Sequence, residues 1–237
     1  MTARPALIVF CREPVAGRTK TRLLSHLGAA SAAKLADAFI VDMLAKARAL
    51  NPPRLVIAAS AEESALRRPY FRRLARRFDA EIVDQGGGSL GRRMARVLEP
   101  FAAGAGALLV GTDLPSLPAA ALERLHEMLQ RRRFVLGPSL DGGYYAIGVR
   151  GTMPPVFTGI RWGSARVLDE TLNRARRAGL AVTLGPVWYD IDRWPDLLLL
   201  GAHLDRIESS ARAAKKAHPC PATAAVLQRL GLLSRRR

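Results

Sequence analysis

Cysteine, lysine and long apolar runs are scarce in this sequence of 237 residues. Its two cysteines, Cys11 and Cys220, are too few for a disulfide framework and have no partners at the spacing of a zinc site. The longest apolar runs, such as residues 102–110, fall well short of the roughly 18 residues that a membrane-spanning helix needs. Only about five apolar residues precede Arg12, whereas a secretory leader needs roughly 7 to 15. We therefore expect a cytoplasmic protein without a membrane span.

Charge is the unusual part of the composition, because 37 Lys and Arg against 20 Asp and Glu give a formal net charge of +17. Such an excess attracts nucleic acid, anionic membranes or phosphorylated small molecules. Only five of the cations are lysine, and arginine doublets such as Arg72-Arg73 and Arg76-Arg77 recur at the spacing of a solvated helix face. Zinc-finger spacing and aromatic RNA-binding motifs are absent. A non-catalytic nucleic-acid-binding protein is the alternative that the charge alone supports.

Apolar and amphipathic segments alternate along the chain. Strands are predicted at residues 6–11, 54–59, 80–83, 107–111, 134–137, 144–149 and 181–187. Helices are predicted between them, including residues 31–50, 62–78 with a break near Pro69, 90–101, 118–132 and 164–179. This alternation predicts an α/β fold with a mixed, mostly parallel sheet and helices on both faces. We expect residues 1–207 to form a single domain, with 208–237 as a basic helical extension packed on it.

The loop after the first predicted strand is rich in positive charge. Residues 10–23 read FCREPVAGRTKTRL, in which Gly17 allows close backbone approach to a ligand. Arg18, Lys20 and Arg22 supply three charges that suit a di- or triphosphate. Ligands of open α/β sheets bind at the carboxyl ends of the strands, so this position favours a phosphate site, although the spacing is not that of a Walker loop. Ordinary surface cations are the structural alternative.

Carboxylates follow two further predicted strands. Asp113 comes directly after the fourth strand in the sequence GTDLP, and Asp190 and Asp192 follow the seventh in DIDRWPD. A carboxylate at a strand end, opposite a basic loop, can hold Mg²⁺ against phosphate oxygens. The structural alternatives are a turn before Pro115 for Asp113 and a cap on the helix that Pro195 opens for Asp192.

Glycines mark two more candidate ligand contacts. Asp141 precedes Gly142, Gly143 and Tyr144, where the glycines let the backbone pass close to a ligand. Asp141 is a candidate to bind or deprotonate an acceptor hydroxyl, although the same tripeptide is also a plain turn signal. The sequence GGGSLG at residues 86–91 precedes a predicted helix and is a candidate contact for a base or ribose, with a flexible loop as the alternative.

Taken in order, these motifs resemble those of a bacterial family of GT-A-like transferases, known as radical-SAM/selenodomain-associated transferases or glycosyltransferases. Its N-terminal signature, K-x-P-x-x-G-x-x-K-T-R-L after an apolar strand, is similar to the basic loop. Arg12 stands in place of the first Lys and keeps its charge, so the resemblance makes Arg12 a further candidate to bind the phosphates of the nucleotide. Similar loops occur in 2-phospho-lactate guanylyltransferases and, more distantly, in molybdenum-cofactor nucleotidyltransferases. The resemblance covers about residues 5–200 and implies a GT-A-like, Rossmann-related fold.

The resemblance also implies roles for individual residues. The motif G-[ST]-D-x-P makes Asp113 the expected metal ligand, and D-x-D-T-P-x-D adds Asp190 and Asp192, although Arg193 and Trp194 replace its Thr and Pro. The motif G-x-L-G-x-R-M assigns the nucleotide to the segment that contains Gly91 and Arg92. The motifs G-P-x-x-D-G-G-Y-Y and F-x-x-I-x-W imply that the acceptor binds at Gly142, Gly143, Tyr144 and Trp162. For Trp162, the alternative is a packing role in the core.

The sequence therefore predicts a transferase that uses Mg²⁺ or Mn²⁺ and a nucleotide-activated donor. The predicted reaction is glycosyl transfer from a nucleotide-diphospho-sugar to a small-molecule acceptor, with Asp113, Asp141 and Lys20 as catalytic residues. Nucleotidyl transfer from a nucleoside triphosphate, with release of pyrophosphate, is the alternative. The single Asp of GTDLP, where many GT-A glycosyltransferases have D-x-D, favours that alternative.

Overall fold

The computed structural model describes residues 3–61, 64–213 and 219–233, with the backbone alone described for 207–213. The strands are β1 (Ala6–Arg12), β2 (Leu55–Ser60), β3 (Glu81–Asp84), β4 (Ala107–Val110), β5 (Phe134–Pro138), β6 (Tyr144–Val149) and β7 (Thr183–Leu184). The α-helices are α1 (Leu24–Leu27), α2 (Ala29–Ala49), α3 (Pro69–Phe78), α4 (Leu90–Ala102), α5 (Ala119–Arg131), α6 (Val167–Arg177), α7 (Trp194–Ala213) and α8 (Pro221–Arg229). Short 3₁₀ helices occupy Thr21–Leu23 and Ala65–Arg67.

The strands form one sheet in the order β3-β2-β1-β4-β6-β5-β7. Strands β3, β2, β1 and β4 are parallel, β6 is antiparallel to both β4 and β5, and β7 is parallel to β5. The predicted α/β fold with a mixed, mostly parallel sheet is therefore confirmed. This topology brings the loops that follow β1, β3, β4 and β5 to one edge of the sheet.

Both faces of the sheet are buried, which explains why its strands are continuous apolar runs rather than alternating ones. In β1, Leu7 and Val9 belong to the cluster covered by α2, α3 and α5, while Ala6 and Ile8 belong to the cluster covered by α4 and α6. Cys11 lies in the first of these clusters, and burial raises the pKa of its thiol to about 12.

Two predicted elements differ from the structure. The strand expected at residues 181–187 is reduced to the two residues of β7. Gly185 and Pro186 follow at once, and both residues weaken a strand interior. The helix expected at 62–78 begins at Pro69, after the 3₁₀ turn at Ala65–Arg67, because proline is favoured at a first helical position. The start of that prediction, at residues 62–63, lies outside the described residues.

The C-terminal segment packs on the rest of the chain through α8. Leu227 of α8 shares a third buried cluster with Leu35 and Phe39 of α2 and Leu200 of α7. The predicted boundary at residue 207 lies within α7 and stays a prediction, and residues 214–218 and 234–237 of the expected extension lie outside the described residues. None of the described helices combines the length and apolar character needed to cross a membrane.

A buried carboxylate ties α8 to α2. The Asp42 oxygens accept the backbone N–H groups of Ala222 at 3.0 Å and Thr223 at 2.8 Å, so this residue caps a helix remote in sequence. Burial raises the pKa of Asp42, and these hydrogen bonds oppose that rise. The two bonds therefore fix the start of α8 from a neighbouring helix.

Replacing Asp42 by Ala should leave two N–H groups at the start of α8 without an acceptor. We expect the free energy of unfolding, measured in urea, to fall by about 2–4 kcal/mol. The control is Asp79→Asn, because Asp79 is exposed and its ion pair with Arg48 at 3.0 Å lies on the surface. That variant should change stability by less than about 0.5 kcal/mol. Equal stability of the two variants would contradict a structural role for the Asp42 bonds.

Candidate functional site

The loop after β1 turns so that Lys20 faces the sheet. The backbone N–H groups of Arg18 and Thr19 both donate to Val15 O at 3.1 Å, and Thr19 Oγ1 accepts the Val15 N–H at 3.0 Å. Lys20 then adopts the left-handed conformation, with φ 50° and ψ 45°. A non-glycine residue held there costs about 1–3 kcal/mol, so the contacts of the Lys20 side chain must compensate.

The Lys20 ammonium lies among oxygens from two remote loops. Its Nζ is 2.7 Å from Asp113 Oδ1 and 3.2 Å from Asp192 Oδ1, and it donates to Ile191 O at 2.6 Å. Burial lowers the pKa of Lys20, but the two carboxylates outweigh that effect and raise it overall. Lys20 is therefore a charged residue held at the meeting point of the loops that follow β4 and β7.

The two acidic loops are also joined to each other and to the β5–β6 loop. Ile191 N donates to Asp113 O at 2.8 Å, and Ser139 Oγ donates to Asp190 Oδ2. The pKa of Asp190 is raised to about 7, mainly by burial and additionally by the neighbouring carboxylates Asp141, Asp113 and Asp192, while the Ser139 bond opposes the rise. The structure thus gathers the predicted acidic residues into one group.

A cleft of about 540 Å³ opens over this group at the edge of the sheet. Eight of the predicted site residues line it: Arg12, Arg18, Lys20, Arg22, Asp113, Tyr144, Asp190 and Asp192. A second cavity of about 430 Å³ is lined by Asp141 together with Ser164 and Leu199. It shares Arg22, Asp190 and Asp192 with the cleft, so the two spaces meet at the acidic group.

Three predicted acceptor residues act in packing and turns rather than in lining either space. Gly142, with φ +87°, lies so close to Ala165 that a Cβ would fall 2.0 Å from its carbonyl oxygen. Gly143 N donates to Asp141 Oδ1 at 2.9 Å, which closes the turn between β5 and β6. Trp162 makes an edge-to-face contact with Tyr144, with ring centroids 6.4 Å apart.

Three predicted phosphate- or nucleotide-binding residues also lie outside the cleft lining. Gly17 is exposed, with φ +78°. Gly91 is buried against Trp162, whose ring would lie 2.6 Å from an added Cβ. Arg92 is exposed, and its backbone N–H donates at 3.3 Å to Ser89 Oγ, the N-cap of α4.

The cleft is also lined by Gln85 and Arg93, which the sequence patterns did not identify as site residues. Arg93 NH1 donates to Gln85 Oε1 at 2.9 Å, and both side chains face the cleft. The signal was present in the sequence, because the motif G-x-L-G-x-R-M aligns its Arg with Arg93 when its Met is aligned with Met94. The helical phase of α4 then directs Arg93 inward and Arg92 to solvent.

The seven-stranded mixed sheet with helices on both faces matches the α/β fold of a solved structure that is provisionally described as a nucleotide-diphospho-sugar transferase. Residues 42–164 match the family described as "Uncharacterized protein conserved in bacteria (DUF2064)". The chain belongs to this family. A comparison with curated proteins found no match.

Solved structures share the fold along nearly the whole chain. A protein from Desulfovibrio desulfuricans G20, provisionally described as a nucleotide-diphospho-sugar transferase, is 30% identical with a TM-score of 0.81, over 98% of this chain and 97% of that one. The inositol-1-phosphate CTP transferase from T. maritima is 15% identical with a TM-score of 0.53, over 83% and 92% of the two chains.

A third similar structure is the 4-diphosphocytidyl-2C-methyl-D-erythritol synthase from Anaerococcus prevotii DSM 20548. It is 11% identical with a TM-score of 0.52, over 86% of this chain and 97% of that chain. At such low identities, the two cytidine-nucleotide enzymes show a shared fold and nothing finer.

Replacing Lys20 by Met should leave Asp113 and Asp192 facing each other without the ammonium between them. We expect the free energy of unfolding to fall by about 1–3 kcal/mol, toward the low end because both carboxylates are partly exposed. Lys34→Met is the matched control, because Lys34 is exposed on α2. Urea unfolding of both variants makes the comparison, and equal stabilities would show that the Lys20 contacts do not hold the loops.

Proposed function

We propose that this chain is a transferase that uses a nucleotide-activated donor and transfers a glycosyl group from a nucleotide-diphospho-sugar to a small acceptor. One observation carries the proposal: Lys20, with Arg18 and Arg22 on the same loop, meets Asp113 and Asp192 around one cleft. The cleft therefore has both the cations that can bind phosphates and the carboxylates that can bind a metal. The likeness to the Desulfovibrio desulfuricans protein supports the same class of reaction.

The cleft suits the nucleoside diphosphate part of the donor. Its volume of about 540 Å³ lies within the usual range of small-molecule sites, about 300–1,000 Å³. Arg18, Lys20 and Arg22 would neutralise the phosphates, since guanidinium and ammonium groups are the usual partners of phosphate oxygens. Gly17 precedes them and gives the loop its turn.

A divalent metal, Mg²⁺ or Mn²⁺, is part of the proposal, held by Asp113 with Asp190 or Asp192. In the described part of the chain, no three His, Cys, Asp or Glu side chains are grouped to bind a metal on their own. This donor set still fits Mg²⁺, which commonly takes one or two carboxylates and completes its shell with substrate phosphates and water. Such a metal would offset the negative charge that develops on the leaving diphosphate.

The second cavity is the proposed acceptor site. Asp141 lines it together with Asp190 and Asp192, which also line the cleft. The acceptor hydroxyl oxygen would form a bond to the anomeric carbon of the donor while the bond from that carbon to the diphosphate oxygen breaks. The electron pair leaves with the nucleoside diphosphate, and Asp141 takes the hydroxyl proton as general base.

Nucleotidyl transfer is the second candidate. It is favoured by the single carboxylate of Asp113 in the loop after β4, where many GT-A glycosyltransferases have the two carboxylates of a D-x-D motif. In that reaction an acceptor oxygen attacks the α-phosphorus of a nucleoside triphosphate and pyrophosphate leaves. The same cations and carboxylates would serve both reactions, so product analysis must separate them.

Product analysis with the purified chain tests the proposal. The protein is incubated with Mg²⁺ or Mn²⁺, a panel of small alcohols and sugars as acceptors, and either nucleotide sugars or nucleoside triphosphates. We expect metal-dependent release of free nucleoside diphosphate from a nucleotide sugar. Pyrophosphate release from a triphosphate would establish the second candidate instead, and turnover of neither donor class would contradict both.

Replacing Asp113 by Asn should abolish metal-dependent nucleotide binding, because a neutral amide is a poor partner for both Lys20 and a divalent cation. Calorimetry with UDP and GDP in the presence of Mn²⁺ makes the measurement. Asp169→Asn is the control, since Asp169 is exposed on α6 and lies outside both cavities. Unchanged binding in the Asp113 variant would remove this residue from the site.

A further inference from the structure

One end of the cleft carries hydrogen-bond donors without a carboxylate. Arg12, at the end of β1, and Arg93, on α4, both line this end beside Phe10. The guanidinium of Arg93 lies 5.7 Å from the Phe10 ring centroid, and its Nε is buried without a hydrogen-bond partner among the described residues. Burial and the nearby Arg12 both lower the pKa of Arg93.

Gln85 fixes the orientation of Arg93. This amide is buried, and its Nε2 donates both hydrogens, to Cys11 O at 3.0 Å and to Ala58 O at 2.8 Å. Its Oε1 is therefore the atom left to accept from Arg93 NH1, at 2.9 Å. Because Gln85 is neutral, it positions the guanidinium without cancelling its charge.

This end of the cleft lies away from the acidic group. Gln85 follows β3 and is bonded to carbonyls of β1 and β2, whereas Asp113 follows β4. Neighbouring strands are about 4.8 Å apart, and β1, β2 and β3 lie one, two and three strand spacings from β4, so Gln85 lies roughly one to three spacings from the Asp113 loop. A nucleotide whose phosphates lie beside Lys20 would extend its base over this distance.

We propose that Arg93, oriented by Gln85, recognises the carbonyl edge of a keto nucleobase, uracil or guanine, and discriminates against adenine. The inference rests on the proposed function, because it assigns the base of the same donor. Arg93 offers donors alone, which match carbonyl and ring-nitrogen acceptors, as in the pairing of arginine with guanine O6 and N7. Adenine presents its N6 amino donors at that edge and would oppose them.

The surroundings of Arg93 favour a base over a further phosphate. Leu90, Met94, Phe10 and Tyr144 line the cleft around it with apolar or aromatic surface, which suits a flat ring. The carboxylates that line the cleft, and with them the proposed metal, lie at the opposite end. A phosphate at Arg93 would have no metal and no loop cation beside it other than Arg12.

Calorimetry on the full chain tests the assignment, with Mn²⁺ and UDP, GDP, CDP or ADP as ligands and inorganic pyrophosphate as a probe without a base. We expect UDP or GDP to bind at least about tenfold more tightly than ADP, because uracil and guanine offer a carbonyl acceptor where adenine presents its amino group. Arg93→Ala should weaken the binding of the preferred nucleotide about tenfold or more, bring its affinity close to that of ADP, and leave the binding of pyrophosphate unchanged. Arg92→Ala, at the exposed neighbouring arginine, should change nothing.

Arg93→Lys keeps the charge and loses the planar pair of donors, so it should lose base preference while it still folds and binds pyrophosphate. Equal binding of the four nucleotides, a preference for ADP, or an equal loss of nucleotide and pyrophosphate affinity in Arg93→Ala would each overturn the inference and leave the proposed function standing. Absence of nucleotide binding by the unaltered chain would instead defeat the proposed function itself.

Discussion

The buried ammonium of Lys20 is the contact on which the site depends. It joins the loop after β1 to Asp113 after β4 and to Ile191 and Asp192 after β7, and Ile191 lies 171 residues from it in sequence. Because the Lys20 side chain is only 6% exposed, its positive charge must be balanced by these oxygens. The sheet brings the three loops to one edge, and this ion pair network sets their mutual position.

Further side-chain hydrogen bonds hold the loops after β4 and β7 against α2 and α7. Trp188 Nε1 donates to Ser116 Oγ at 3.2 Å, Ser116 Oγ donates to Tyr189 OH at 2.9 Å, and Tyr189 OH lies 2.5 Å from His203 Nδ1 on α7. Lys46 of α2 also donates to the Pro115 carbonyl next to the Asp113 loop. The loops are thus held by α2 and α7, the same helices that pack against α8.

Sequence patterns predicted most of the fold because a sheet buried on both faces requires continuous apolar runs, and these are visible in the chain. The charges at residues 18–22 and 113 were found by their position at strand ends, which the topology brings together. Side-chain direction within a helix was harder to predict, since Arg92 and Arg93 differ only by about 100° of rotation on α4. The prediction of a long strand at residues 181–187 was wrong because Gly185 and Pro186 interrupt it.

The charge balance within the cleft is more informative than the net charge of +17. Five cations line the cleft against three carboxylates, which leaves the cleft positive. Most of the other arginines, such as those of α3, lie on exposed helix faces and contribute nothing to this local excess. Among the charged residues that line the cleft, the carboxylates are gathered around Lys20, while those beside Gln85 are cations. The proposed nucleoside diphosphate matches this pattern, because its phosphates would lie beside Lys20 and its neutral base beside Gln85.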